Sequence, residues 1–121
     1  MDHICFALPI LPGKTADARA FHHELDGPRK AEYAASEQRI GIVKEHCFLK
    51  QTPQGDLLLA YMDSPNFAQA LGQFAASQDD FDQWFKRRLA EVTGVDLNNP
   101  PSGQLSELMS SYLAESEQAL V

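Results

Sequence analysis

The side chains in this sequence that can do chemistry fall at a few places. The first is a pair of strand-like runs, Glu45-His46-Cys47-Phe48 and Leu59-Ala60-Tyr61-Met62, which bring an imidazole, a thiol and a phenol onto one hairpin. His46 and Tyr61 would serve there as acid and base, since imidazole titrates nearest neutrality. A packed Tyr61 with its hydroxyl satisfied is the more ordinary account. The second place is Phe81, Trp84 and Phe85, whose rings, with Cys47, would wall a pocket for a flat organic molecule; aromatic residues at this helical spacing more often fill a core. The third is His3 and Cys5, on one strand face, which with His46 would give three metal ligands. No CxxC or HxxxH spacing supports that site, so no metal is expected. His22 and His23 are adjacent in a helical stretch and so point about 100 degrees apart, the wrong spacing for a shared ligand. Asp79, Asp80 and Asp82 read as an acidic helix start favoured by the dipole. The sequence contains no Gly-rich phosphate loop, GxSxG elbow or HExxH helix, and no cofactor is expected.

The elements that must position these residues are organised around a hairpin from Lys44 to Asp63, with Pro53-Gln54-Gly55-Asp56 as its turn. A first strand, His3 to Leu11, places Ile4, Phe6, Leu8 and Ile10 on one face and His3, Cys5 and Ala7 on the other. Pro12-Gly13 ends it. A helix capped by Thr15 or Asp17 follows, with Ala18, Phe21 and Leu25 on one stripe, and Gly27-Pro28 separates it from a second segment, Arg29 to Arg39, closed by Gly41. After the hairpin, Ser64-Pro65 is expected to start a helix with Phe67, Ala70, Leu71 and Phe74 inward. Ser77 or Asp79 starts another with Phe81, Trp84, Phe85, Leu89 and Val92, ended by Gly94. Asn98 to Gly103 is a turn-rich linker, and Leu105, Leu108, Met109, Tyr112 and Leu113 predict an amphipathic helix from Gln104 to about Leu120.

Both strand faces carry apolar residues, in the first strand and in the hairpin alike. One helical layer covers one face, and a chain of 121 residues has little left to cover the other, so a second copy is the natural partner. A formal charge of -7 opposes polyphosphate, which excludes nucleic acid as a default partner, and Lys86-Arg87-Arg88 reads as a solvated helix face. No apolar run reaches membrane-spanning length, and the N-terminus lacks the basic start of a secretory signal, so no membrane partner and a cytoplasmic location are expected. Cys5 and Cys47 are expected to be reduced, buried, small apolar groups.

The order strand, helix, hairpin, helix resembles the ferredoxin-like subunit of the dimeric α/β-barrel superfamily, which includes antibiotic-biosynthesis-type monooxygenases and EthD-like proteins. The strings Gly27-Pro28-Arg29-Lys30-Ala31-Glu32-Tyr33, Gln51-Thr52-Pro53-Gln54-Gly55-Asp56 and Phe81-Asp82-Gln83-Trp84-Phe85-Lys86, with Thr93-Gly94-Val95-Asp96-Leu97, resemble a bacterial subgroup of it. The resemblance covers residues 3 to 97. It implies an α+β fold, an antiparallel sheet covered by helices on one face, with two sheets paired across a homodimer. The family's fourth strand has only Val92 to Leu97 to supply it, and the haem-degrading members' first-strand Asn is missing here. The expected organisation is a ferredoxin-like domain over 1–97 and a linker with a C-terminal helix over 98–121. The expected function is binding of a small organic molecule between sheet and helices. One alternative is a cofactor-independent monooxygenase or isomerase acting on an aromatic or polyketide-like compound, and another is a structural or interaction protein without a ligand.

Overall fold

Pro53 and Gln54 form a tight turn that Thr52 closes. Its hydroxyl donates to the Gly55 carbonyl at 2.6 Å and accepts from the Gln54 N–H at 3.2 Å. Gly55 has a φ of 131°, a conformation open only to glycine. The computed structural model describes residues 1–101 and 105–114. In it the turn joins β2 (Lys44–Thr52) to β3 (Gly55–Ser64). The other elements are β1 (Asp2–Pro9), α1 (Thr15–Asp26), α2 (Lys30–Ile40), α3 (Phe67–Ala76) and α4 (Asp80–Thr93). β1 and β2 each pair antiparallel with β3, giving the order β1-β3-β2.

Strand alternation divides the sheet into two surfaces. The rows Ile4–Met62–Glu45, Phe6–Ala60–Cys47 and Leu8–Leu58–Leu49 face the helices. The rows His3–Asp63–Lys44, Cys5–Tyr61–His46 and Ala7–Leu59–Phe48 face outward. This is the ferredoxin-like α+β arrangement expected, and the stripes Ala18, Phe21, Leu25 and Phe67, Ala70, Phe74 are buried as their spacing predicts.

Several local expectations are corrected. Thr15 does not cap α1; its hydroxyl donates to Asp56 at 2.5 Å and pins the helix start to the hairpin. Asn66, not Ser64, caps α3 by accepting from Gln69 N–H, while Ser64 donates to the Gly41 carbonyl at 2.9 Å. Cys5 is exposed, because it lies on the outward face, which no helix of the described residues covers. Val92 to Leu97 supplies no strand, since α4 continues to Thr93 and Gly94 caps it with φ 78°. No helix forms over 105–114. Ser106 Oγ instead accepts from the Cys5 N–H at 2.9 Å, on the edge of β1 opposite β3. The remainder of that expected helix lies outside the described residues.

The largest departure concerns α4. Asp82 is fully buried, accepting from Ser36 Oγ at 2.5 Å, Ser77 Oγ at 2.6 Å and Arg39 Nη2 at 3.0 Å. Lys86, read from sequence as part of a solvated face, is 1% exposed, and its ammonium donates to the carbonyls of Phe74, Ala75 and Ser77. Those carbonyls lie at the end of α3, so Lys86 is an internal C-cap that supplements the Ser77 N–H and Gln83 amide bonds there. Together the two residues lock α2, α3 and α4 to one another.

Burial alone would raise the Asp82 carboxyl, but the hydrogen bonds from Ser36, Ser77 and Arg39 outweigh it and hold it below the usual range. A depressed carboxylate stabilises the fold above its unfolded pKa, and that contribution is lost as pH falls through the folded value. Asp82→Ala should therefore cost about 3 kcal/mol at neutral pH in urea unfolding and should flatten the acid limb of the stability profile. Equal midpoints for variant and parent would show the network to be neutral.

Candidate functional site

Helices and sheet meet in two apolar clusters, one around Phe21, Leu58, Phe81, Leu89 and Val92 and the other around Ile4, Ile42, Phe67 and Ala70. Between helices and sheet lies a cavity of about 370 Å³. Phe6, Ala60, Met62, Phe74 and Leu97 contribute to its apolar wall. Its titratable lining is His22, Glu37, Glu45 and Cys47.

Glu45 and Cys47 are brought inward by strand parity, which turns both to the helix side of β2. Glu37 is brought there by helix spacing, one turn after Tyr33 on α2. Taken as a carboxylate, Glu37 has a buried Oε2 without any donor, alone in this among the buried side-chain atoms of the described residues. A proton on that oxygen supplies the missing bond, because the Glu45 carboxyl stands opposite to accept it. Burial first, then the negative charge of Glu45, pushes the Glu37 pKa up to about 10, so Glu37 holds its proton at neutral pH. The Tyr33 phenol also lies within the influence of Glu45, and Cys47 Sγ lies 3.6 Å from Glu45 Oε2. Burial and the same negative charges push both the Tyr33 phenol and the Cys47 thiol up, so each remains a proton donor. His22 adds an imidazole whose Nδ1 lies 3.0 Å from the Ala18 carbonyl. Only a protonated Nδ1 can bond there, which leaves Nε2 of the neutral ring as an acceptor.

The residues singled out from sequence divide between two locations. Phe85 and Cys47 line the cavity. Trp84 and Phe81 do not; they pack with Phe21 in the core cluster, and the Arg29 guanidinium covers the Trp84 ring at 4.0 Å. Phe81, one turn before Phe85 on the same face, lies beyond the cavity's edge against Tyr33 and Trp84. His46 and Tyr61 are direct cross-strand partners, but on the outward face, separated from the cavity by the sheet. There Nδ1 of His3 lies 2.6 Å from Asp63 Oδ1 and 3.2 Å from the Tyr61 hydroxyl. The hydrogen bond to Asp63 raises Tyr61, while bonds from Tyr61 and His3 overcome the effect of burial and lower Asp63. His3, Cys5 and His46 share this face without converging, and among the described residues no three His, Cys, Asp or Glu side chains are placed to hold a metal ion.

Sequence reasoning missed Glu37, Glu45 and Tyr33. A signal existed: Glu45 has the parity of Cys47 and Leu49, and Tyr33 and Glu37 are four apart on the stripe of Ile40. An acid with core parity is the mark of a site or a network.

No protein-family model matches this sequence, and no curated protein matches it. Among solved structures, an L-rhamnose mutarotase from Formosa agariphila aligns with a TM-score of 0.61 at 16% identity, over 93% of this chain and 100% of that one. At this identity the likeness concerns the fold. No helix of the described residues is long and apolar enough to cross a membrane.

The raised Glu37 pKa has a definite consequence for stability. An acid whose folded pKa exceeds its unfolded value stabilises the fold fully below the unfolded value and loses that contribution as pH rises through the folded one. Stability should thus decline from about pH 4.5 towards about pH 10, and Glu37→Gln should abolish the decline. Above neutrality the variant should be more stable by about 2 kcal/mol. Thermal unfolding across this range checks it, and a parent profile as flat as the variant's would refute the shared proton.

Proposed function

We propose that this protein binds a small organic molecule in the cavity between sheet and helices, and that it does so as a homodimer with facing sheets. The cavity carries the reading. Its about 370 Å³ falls at the lower end of the range of small-molecule sites, and it combines apolar walls with a few converging polar groups. The dimer is supported by the outward face, where Cys5 and Ala7 are exposed and Phe48 is 50% exposed beside half-buried Leu57, Leu59 and Tyr61. A second copy of the same face would cover them. Two free thiols fit a reducing cytoplasm.

A second reading, a cofactor-independent isomerase, draws on His46 and Tyr61 as cross-strand partners on the outward face and on the fold shared with a protein named as a mutarotase. In that reading His46 and Tyr61 would act inside the barrel that two facing sheets enclose.

Native mass spectrometry of freshly purified protein should show a dimer carrying additional bound mass. Ala60→Trp, which fills the cavity from β3, should lose the bound mass and keep the dimer. A clean monomer would defeat the facing-sheet arrangement, and a ligand retained by the filled variant would defeat the cavity. For the second reading, unchanged turnover in His46→Ala would remove His46 from the mechanism.

A further inference from the structure

The Glu37–Glu45 pair is unusual for what does not accompany it. Buried carboxyls ordinarily meet a cation or a full set of donors. Around this pair stand Tyr33 from α2, Cys47 from β2, His22 and Asp26 from α1 and Asp82 from α4. The charges acting on Glu37 are those of Glu45 and Asp82, both negative. Arg39, the cation nearest in the network, is already engaged by Asp79 and Asp82. Glu37 Oε2 is buried without a donor in its ionised form, while the remaining wall of the cavity is apolar.

A ligand that carries one positive charge on an apolar body would complete this arrangement. Resting on the binding reading above, we infer that the cavity is a site for a hydrophobic primary amine, whose ammonium is received between the carboxyls of Glu37 and Glu45. The ammonium has three donors, enough to reach both carboxyls, and its hydrocarbon part replaces water along Phe6, Met62, Phe74 and Phe85. The arriving charge removes the reason for Glu37 to hold its proton. Binding therefore exchanges one cation for another: the ammonium enters, the Glu37 O–H bond breaks, and one proton leaves to solvent. A neutral ligand makes no such exchange, and an anionic one is repelled by Glu45 and by the overall charge of -7.

The test is isothermal titration of the whole chain with three probes of similar shape, 2-phenylethylamine, 2-phenylethanol and 3-phenylpropionate, at neutral pH in phosphate and in HEPES. The amine should bind at least about tenfold more tightly than the alcohol and far more tightly than the acid. Its apparent enthalpy should differ between the buffers by the amount that release of about one proton requires. Glu37→Gln should abolish the buffer dependence, and Glu45→Gln should weaken the amine about tenfold with little effect on the alcohol. Both variants keep a side chain of the same shape, and their folding is checked by circular dichroism. Preference for the alcohol, or amine binding with no buffer dependence, would overturn the amine site and leave the cavity reading intact. Failure of all three probes at millimolar concentration would also overturn the amine site, while the cavity reading stands or falls by the bound mass lost in Ala60→Trp.

Discussion

A single fully buried carboxylate, that of Asp82, organises the layer above the sheet. It gathers a hydroxyl from α2, another from the α3–α4 connection and a guanidinium from α2, while Lys86 one turn later donates to the carbonyls at the end of α3. Charged groups with several short bonds fix geometry more narrowly than apolar contacts, which tolerate sliding. The helices are therefore held to one another as a roof. The space beneath them is the cavity, and its existence depends on that roof not settling onto the strands.

Polar groups are used differently on the two sides of the sheet. Under the roof, Glu37 and Glu45 face each other without a cation, and burial keeps a proton between them. On the outward side, His3, Asp63 and Tyr61 satisfy one another at the end of the strands, and Asp63 stays ionised below its usual range. The first group is incomplete and the second is complete. Incompleteness in an apolar cavity is what the proposed ligand site rests on, while the outer group belongs to a surface half-covered by apolar side chains.

Much of the architecture was legible before any coordinates. The alternation along Cys47 to Lys50 and Leu57 to Met62 predicts the hairpin and its parity, and that parity already pairs His46 with Tyr61 on one face. Helical spacing predicts the buried stripes of α1, α3 and α4. Capping was read less well at α1 and α3, because Thr15 and Ser64 found partners distant in sequence, Asp56 and Gly41, that no local pattern announces. Phe81, Trp84 and Phe85 lie on one helix as their spacing predicts, but of the three only Phe85 borders the cavity, which spacing within the helix does not decide.

The sequence alone determined the kinds of elements, their order and which side chains share a face, since these follow from backbone sterics and from residue spacing within a few positions. Only the tertiary structure decided which charges are buried. Lys86 lies beside Arg87 and Arg88 in sequence with nothing local to mark it as internal, and the stripe of Tyr33, Glu37 and Ile40 gives Glu37 a face without telling what packs against it. Desolvation depends on what packs around a group from elsewhere in the chain, and so the carbonyls of α3 made Lys86 a cap and the approach of β2 made Glu37 an acid that keeps its proton.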